Sequence, residues 1–358
     1  MRIILILFLF YSQIYSQSAI NLIKHLNGIT IYDIAGDGKN IWAATNGNGI
    51  FSLDKESNKW TSYSTQNEKL QIDFFYAIDA NEEYVWAGST DGFFMLDKKR
   101  NQWTKRKFGL GGQLSNWIRS VKYDAVNDCV WIGRFKYLTK YDIKKRRFID
   151  FDLTMKGDEK TNTIKTIQVD GDSLVWFGTE NGLHKYDKSR PLDEQGTVTF
   201  YDNSLNYFRG EGDAVSISAI LIEQNNVWIG LDEFITKINP EYNLGGVYKF
   251  DRRYEWKRFD VHSGLEGNGV FDIAQTGNYL WISLYQFSIN SREVYGRGLA
   301  LINRLTEEII NLDAASLPNT IYSLYYDGTS LWMGAQDGLY QFDLSNNFVP
   351  DFSKLERR

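Results

Sequence analysis

Seven tryptophans recur along this chain of 358 residues at nearly regular intervals. Each follows a short hydrophobic run, and a small residue stands two positions later, as in VWAG, VWIG and LWMG. Intervals of 44, 45, 45, 52, 53 and 51 residues separate Trp42, Trp86, Trp131, Trp176, Trp228, Trp281 and Trp332. A fixed period of this length is typical of a repeat protein, so we interpret the chain as one unit copied seven times.

Each copy contains signals for four short strands. A hydrophobic run such as IYDI (31–34) is followed by a turn rich in Gly, Asn and Asp, and then by the Trp run. Asn-Gly or Asp-Gly next marks a tight hairpin, and two further runs follow it. The 11 Trp, 22 Tyr and 22 Phe residues also favour strands. Four antiparallel strands per unit predict an all-β fold, a seven-bladed β-propeller.

The repeat pattern predicts one domain over residues 19–358. The blades are expected at about 29–66, 71–108, 114–153, 161–204, 213–262, 268–313 and 319–347. The last copy is short, so a terminal segment must complete it. We expect residues 20–27 to supply its fourth strand. Residues 348–352 (FVPDF) are the alternative, although Pro350 lacks a backbone donor.

The first 18 residues resemble a signal peptide. Arg2 supplies a positive charge, Ile3 to Phe10 are apolar, and small residues allow cleavage after Ser16 or Ser18. Neither a lipid anchor nor a transmembrane segment is predicted, so we expect a periplasmic or secreted monomer. A formal net charge of −5 argues against nucleic acid as a partner. We interpret the one dense basic run, KKRR (144–147), as the solvated end of a hairpin.

Several repeats resemble the two-component regulator propeller repeat. The resemblance rests on FGTENGLHKYD (177–187), MGAQDGLYQFD (333–343) and SNWIRSVKYD (115–124), and it covers about residues 29–347. Propellers of that family often form the exported sensor half of histidine kinases and recognise oligosaccharides or similar ligands. No kinase segment is recognisable in this sequence, so we expect any signalling role to need a partner protein.

Departures from the repeat fall mostly on one side of the predicted ring. We call this side the top face: it carries the links between blades and the loops from second to third strand. Its irregular segments are 108–117, 134–138, 204–213, 231–246 and 284–298, whereas 189–196 falls on the opposite face. Because a rigid scaffold often presents functional loops, the top face is the candidate site.

The second position of each innermost strand is expected to lie near the channel mouth on this face. Aromatic, cationic and amide side chains there suit a small polar ligand or glycan with apolar faces. The predicted ligand-binding residues are Tyr32, Tyr76, Asn116, Arg119, Asn162, Lys165, Asn268, Phe271, Asn319 and Tyr322. The structural alternative is that the aromatic residues pack between blades and that the Asn residues cap turns.

Signals for catalysis are weak. His262 and Glu266 lie close in sequence on a predicted top link and form the one candidate acid–base pair, for a lyase or hydrolase. The sequence contains no recognisable metal or cofactor motif, so we expect no cofactor. It therefore favours a binding protein over an enzyme, and an interaction platform for an envelope or secretion assembly is the alternative to ligand binding.

Overall fold

The computed structural model describes residues 22–235, 242–312 and 316–344. Seven antiparallel sheets of four strands surround a central channel, and the first strand of each sheet contacts that of the next around a closed ring. The seven-bladed propeller predicted from the repeats is thus confirmed. Residues 1–18, assigned to a signal peptide, and 348–352 lie outside the described residues.

The strands are numbered along the chain. The innermost strands are β2 (Ile31–Gly36), β6 (Phe75–Ala80), β10 (Ile118–Asp124), β14 (Ile164–Asp170), β18 (Ile217–Ile222), β22 (Gly269–Thr276) and β26 (Ile321–Tyr326). The second strands are β3 (Asn40–Thr45), β7 (Tyr84–Ser89), β11 (Cys129–Arg134), β15 (Leu174–Thr179), β19 (Val227–Ile235), β23 (Tyr279–Phe287) and β27 (Ser330–Ala335). The third strands are β4 (Ile50–Asp54), β8 (Gly92–Asp97), β12 (Leu138–Asp142), β16 (Gly182–Asp187), β20 (Tyr242–Phe250), β24 (Val294–Asn303) and β28 (Gly338–Asp343). The outer strands are β1 (Leu22–His25), β5 (Lys59–Tyr63), β9 (Gln102–Arg106), β13 (Arg147–Phe151), β17 (Val198–Tyr201), β21 (Trp256–Phe259) and β25 (Ile309–Leu312).

Blade seven takes its outer strand from the N-terminal side of the chain. Strand β1, within the segment expected to close the ring, pairs with β28 from Leu22 opposite Phe342 to His25 opposite Leu339. Lys24 Nζ lies 2.5 Å from Asp337 Oδ2 beside this pairing. Both ends of the propeller domain therefore meet in one sheet, which joins blade seven to the rest of the ring.

Short 3-10 turns lie in four of the links on the top face. Their bounds are Gln113–Asn116, Glu159–Asn162, Ser204–Gly210 and Val261–Ser263. The part of the chain that the structure describes contains no helix long and apolar enough to cross a membrane.

The recurring Trp residues form the core between blades. All seven are at most 3% exposed, as expected from the sequence. The small residue two positions later is required by close packing. A Cβ added at Gly88 would lie 2.6 Å from Ile118 Cγ2 of the next blade, and Gly133 faces Ile164 in the same way.

Five of these Trp residues also belong to an ionic contact between blades. The indole Nε1 donates to an acid at the end of the innermost strand or in the turn that follows it, and that acid pairs with a cation that follows the third strand of the next blade. We call this contact a latch. The five latches are Trp42–Asp37–Lys98, Trp131–Asp124–Lys188, Trp176–Asp170–Arg252, Trp228–Glu223–Arg304 and Trp332–Asp327–Lys55.

The two remaining interfaces lack both charges of the latch. Between blades two and three, Asn81 replaces the acid and Ile143 replaces the cation. Between blades six and seven, Thr276 and Leu344 occupy these positions. Ile143 packs against the cluster around Trp86, and Leu344 packs against the cluster that contains Trp281. Each interface between blades therefore contains both the acid and the cation or neither of them. This is expected, because a buried charge without a partner destabilises the folded protein.

Candidate functional site

Every innermost strand contains a β-bulge near its top end. The register against the second strand shifts after the residues Ile31, Phe75, Ile118, Ile164, Ile217, Val270 and Ile321. A bulge redirects the side chain of the extra residue. The residues at the shifts are Tyr32, Tyr76, Arg119, Lys165, Ser218, Phe271 and Tyr322, and all seven line a channel cavity of about 270 Å³.

Aromatic rings form a continuous series around more than half of the channel mouth. Consecutive ring centroids lie 4.6–5.8 Å apart along this series, which we call the aromatic arc. In order, its members are Tyr285, Phe271, Tyr322, Tyr32, Tyr76, Trp117 and Phe135. The structure thus brings the four predicted aromatic residues together in the channel lining, and three rings outside that lining extend the series at its two ends.

Two ion pairs occupy the remaining side of the mouth, and we call them the charged arc. It adjoins the aromatic arc, because the guanidinium of Arg119 lies 5.8 Å from the ring centres of Trp117 and of Phe135. Arg119 Nη1 lies 2.5 Å from Glu180 Oε1. Lys165 pairs with Asp232 and also donates to Ser216 Oγ at 3.0 Å. Both cations predicted at the mouth are therefore paired with carboxylates of the next blade, so neither pair has a net formal charge.

Burial changes the pKa values of both groups in the second ion pair. It lowers the pKa of Lys165, an effect that Asp232 partly opposes. Burial also raises the pKa of Asp232, but Lys165 and the hydroxyl of Ser216 outweigh it, so the pKa of Asp232 lies below its usual value. Tyr285 donates to Asp232 Oδ1 at 3.1 Å. Burial, and then Asp232, raise the pKa of Tyr285 well above its usual value, which keeps its hydroxyl a donor.

The long hairpins of blades five and six supply these partners. Asp232 and Glu233 belong to β19, and Tyr285 and Phe287 belong to β23. The backbone N–H of Phe287 donates to Glu233 Oε2 at 2.8 Å, and that of Glu233 donates to Tyr285 Oη at 3.0 Å. The two extended hairpins are therefore joined to each other where they reach the channel mouth.

Three aspartates line the channel below the mouth and connect neighbouring blades. Asp33 accepts from the N–H groups of Ile34 and of Ile78 in the next blade, at 2.9 and 2.8 Å. Asp79 and Asp272 make the same contacts to Tyr123 and Leu324, each at 2.8 Å. The carboxylates of Asp79 and Asp272 therefore join blades two to three and six to seven, the two interfaces without a latch.

Two of these carboxyls are protonated more readily than usual. Burial raises the pKa of Asp33 to about 7, although its two N–H donors oppose the effect and Asp272 adds to it. Burial likewise raises the pKa of Asp272 to about 6. The channel interior is thus a place where carboxyl groups gain protons near neutral pH.

The four predicted asparagines lie outside the channel lining. The side chain of Asn116 hydrogen-bonds both backbone groups of Phe108. Its Oδ1 accepts from the N–H at 2.6 Å, and its Nδ2 donates to the carbonyl oxygen at 3.1 Å. Asn162 and Asn268 accept from Leu153 and Val261 in their links at 2.9 and 3.0 Å. Asn319 is exposed, and its backbone oxygen accepts from Gly298. Three of the four amides thus shape the links between blades.

The candidate acid–base pair lies outside the channel. The side chain of His262 is 90% exposed, and its Nδ1 lies 3.4 Å from Asp260 Oδ2 in a 3-10 turn. Neither His262 nor Glu266 belongs to the channel lining. By contrast His184 is fully buried, and burial lowers its pKa to about 4.

Blade three lacks the Gly turn after its Trp strand, and Arg134 ends that strand, β11, where Thr45, Ser89 and Thr179 end the equivalent strands of other blades. Its guanidinium is buried, donates to Ser115 Oγ at 2.8 Å and lies 3.0 Å from Asp150 Oδ1. It also lies 4.6 Å from the ring centre of Phe108. Arg134 thus connects the link that carries Trp117 to the loop that carries Phe135, and these two rings are stacked.

Several members of the site have no signal of their own in the sequence. Asp232, Tyr285, Trp117 and Phe135 lie in or beside segments that the sequence marked as irregular, but no pattern singled them out. Glu180 belongs to a hairpin turn that looks ordinary in sequence. The signal that was available for the aspartates is a polar residue within an otherwise apolar innermost strand, as in IYDI and VFDI.

No protein-family model and no curated protein match this chain. Solved structures do resemble it. The extracellular domain of BT4673 from B. thetaiotaomicron, assigned to the one component or hybrid two component systems, is 17% identical with a TM-score of 0.66. That match covers 91% of this chain, which spans 40% of the length of the BT4673 domain.

Two smaller proteins match over nearly their whole length. Virginiamycin B lyase from Staphylococcus aureus is 12% identical with a TM-score of 0.66, and the match covers 91% of this chain and 99% of the lyase. YCF48, in a structure with a D1 peptide, is 11% identical with a TM-score of 0.61, and the match covers 90% of this chain and 96% of YCF48. Identities this low establish the fold alone. The fold implied by the repeat resemblance is confirmed, and this chain resembles an extracellular domain of a signalling system in that fold.

Proposed function

We propose that this protein is an exported, non-catalytic propeller that binds a small polar ligand with an apolar face, such as a sugar, at the mouth of its channel. The observation that carries the proposal is the division of the mouth into an aromatic arc and a charged arc. Ligand sites are mostly apolar, with a few placed polar groups that fix orientation.

Each side of the mouth suits a different part of such a ligand. The rings of Tyr32, Tyr76 and Tyr322 supply apolar area together with hydroxyl groups. Arg119 and Lys165 already face carboxylates, so an added anion would compete with Glu180 and Asp232. A hydroxyl group both donates and accepts, and can therefore bind an acid and a cation of the same pair. An uncharged, hydroxyl-rich ligand fits this arrangement best.

A role in sensing is supported by the fold that this chain shares with the extracellular domain of BT4673. Export is supported by the apolar N-terminal segment of the sequence. On this proposal, ligand binding is communicated to a partner protein in the cell envelope.

Calorimetric titration with a panel of neutral sugars and oligosaccharides tests the binding site. Tyr76→Ala and Arg119→Ala should each weaken any detected binding about tenfold or more, because they remove one aromatic contact or one charge-assisted bond. The matched controls are Tyr254→Ala and Arg253→Ala, which lie exposed on the opposite face. Binding that both site variants leave unchanged would refute the site.

A protein-interaction platform is the second candidate, and exposed apolar side chains on the top face favour it. Eight of the twelve exposed large hydrophobic residues described lie there, namely Phe74, Leu110, Leu114, Leu205, Val261, Ile289, Val294 and Tyr295. Contiguous apolar surface often marks a partner site. YCF48, a propeller of the same fold, was solved with a D1 peptide.

Affinity capture from envelope extract tests this second candidate. The triple variant Ile289→Ser, Val294→Ser and Tyr295→Ser should lose a partner that the wild type retains. Val126→Ser with Tyr254→Ser on the opposite face is the control. A partner set that is identical for all three proteins would eliminate this surface.

A further inference from the structure

One outer corner of the propeller is strongly basic. The turn between β12 and β13 and the start of β13 carry four consecutive exposed cations, Lys144, Lys145, Arg146 and Arg147. Lys145 Nζ lies 3.2 Å from Asp142 Oδ2. Within the described residues, the other three cations have no acid at salt-bridge distance. The corner therefore presents charge that the protein itself does not neutralise.

The excess charge belongs to blade three as a whole. Residues 114–153 contain nine Lys or Arg against five Asp or Glu, while the whole chain has a formal charge of −5. Cations elsewhere in the blade face acids, since Arg134 lies near Asp150 and Lys136 pairs with Glu159. The unneutralised part of the charge is thus concentrated at the corner.

Neighbouring turns extend this surface. Lys99 and Arg100 lie in the corresponding turn of blade two, where Arg100 pairs with Asp97, and Arg106 of β9 lies 5.2 Å from the ring centre of Phe148 in β13. The turn that precedes β11 carries Val126, which is 62% exposed. This turn contacts the basic turn directly, because the oxygen of Asp128 accepts from the N–H of Ile143 at 3.3 Å.

We infer that this corner, defined by Val126 and residues 144–147, docks the propeller on an anionic membrane surface. The corner is the convex end of a hairpin, so it reaches a flat surface more readily than it encloses a polymer. Three of its four cations have no acid partner among the described residues, so they are available to anionic lipid headgroups. Val126 adds an apolar side chain that can enter the interface.

The proposed contact is peripheral and independent of the channel. The basic turn joins the third and fourth strands, so it lies on the face opposite the channel mouth. A propeller docked by this corner would keep its mouth directed away from the membrane. Ligand binding at the mouth and docking at the corner are therefore separate properties.

Co-sedimentation of the full chain with vesicles tests the inference. The probes are vesicles of phosphatidylcholine alone and of phosphatidylcholine with phosphatidylglycerol in equal parts, at low and at physiological salt. We expect binding to the anionic vesicles only, weakened by salt. The variant Lys144→Gln, Lys145→Gln, Arg146→Gln and Arg147→Gln should reduce it about a hundredfold, since each of the three cations without an acid partner contributes about fivefold near such a surface.

A control with the same change in charge makes the result specific. Lys59→Gln, Lys69→Gln, Arg253→Gln and Arg292→Gln remove four exposed cations elsewhere and should leave most of the binding intact. Val126→Ser should weaken binding severalfold without changing its salt dependence. Thermal unfolding of each variant establishes that it is folded.

Three results would overturn the inference. The first is absence of wild-type binding to anionic vesicles at low salt. The second is an equal loss in the corner variant and its control, which would indicate general charge attraction. The third is retention on soluble polyglutamate but not on vesicles, which would point to an acidic protein as partner.

Discussion

Lys188 of blade four forms a buried ion pair with Asp124 of blade three. Its Nζ lies 3.1 Å from Asp124 Oδ2, and the two side chains are 4% and 0% exposed. Asp124 also accepts from the Nε1 of Trp131, the Trp of its own repeat. The repeated Trp is therefore a core residue and also one point of a latch between neighbouring blades.

Removing the cation alone should be costly. Lys188→Ile leaves Asp124 buried without its partner and is expected to lower the free energy of unfolding by about 3–5 kcal/mol. The double variant Asp124→Asn and Lys188→Ile copies the pair Asn81 and Ile143 of the preceding interface. It should recover most of that loss, because no charge is left unpaired.

Denaturant unfolding of wild type, both single variants and the double variant measures this coupling. Lys39→Ile is the control, since Lys39 is exposed and its ion pair should contribute less than about 1 kcal/mol. If the two single losses simply add in the double variant, the latch is not a coupled pair.

The glycine after the Trp is expected to be intolerant of a methyl group. Gly88→Ala would place a Cβ 2.6 Å from Ile118 Cγ2 of the next blade. Overpacking of this kind costs about 1–3 kcal/mol. Gly109→Ala is the matched control because no atom lies within 4 Å of its added Cβ. Thermal melts of the two variants compare them, and equal melting temperatures would contradict the packing argument.

Arg134 should position the blade-three end of the aromatic arc. Arg134→Met removes the bond to Ser115 and leaves Asp150 without its cation. Because Asp150 is 30% exposed, the expected loss of about 2–3 kcal/mol lies below that of a fully buried pair. Arg134→Lys keeps the charge but not the planar fork, so it should recover only part of the stability.

Tryptophan fluorescence provides a second measure for Arg134. Trp117 should become more exposed in Arg134→Met, because its link loses the anchor at Ser115. Thr104→Val, which removes a hydroxyl from the outer strand β9 of blade two, serves as the control. An unchanged emission spectrum in Arg134→Met would show that Arg134 does not position Trp117.

Stability should depend on pH in two opposite ways. Burial raises the pKa of Asp327, but four hydrogen-bond donors outweigh it and lower the pKa to about 2. The ionised Asp327 therefore adds about 2 kcal/mol to the free energy of unfolding above pH 4, and this contribution is lost as pH falls through 4 towards 2. Asp33, with a pKa raised to about 7, acts in the opposite sense. Because the buried carboxylate of Asp33 destabilises the folded protein, its protonation raises the free energy of unfolding as pH falls from about 7 to 4.

Protonation of Asp33 should therefore raise the melting temperature between pH 8 and 5, against the opposite effect of buried, neutral His184 below about pH 6.5, and the melting temperature should fall below pH 4. Asp33→Asn should flatten the rise, and Asp327→Asn should reduce the acid loss. Asp172→Asn, at an exposed turn, should follow the wild type. If the melting temperature of Asp33→Asn rises by the same amount as that of the wild type, groups other than Asp33 cause the rise.

The aromatic part of the site followed from the sequence because the repeats align. Once the innermost strands were recognised, Tyr32, Tyr76, Phe271 and Tyr322 fell at one position, and all four line the channel. The asparagines did not behave alike. A residue two positions before such a strand can face the channel or make hydrogen bonds within its link, and Asn116 and Asn162 make the second kind of contact.

The sequence by itself determined the architecture. Its period and hairpin signals specify seven blades, because each unit can bury its hydrophobic faces only against its neighbours. Tertiary structure alone decided which charges meet. Lys165 and Asp232 are 67 residues apart, and Asp232 reaches the mouth through an extended hairpin that contacts another. No local pattern encodes such a meeting, since it depends on how far two loops extend and how they pack above a closed ring.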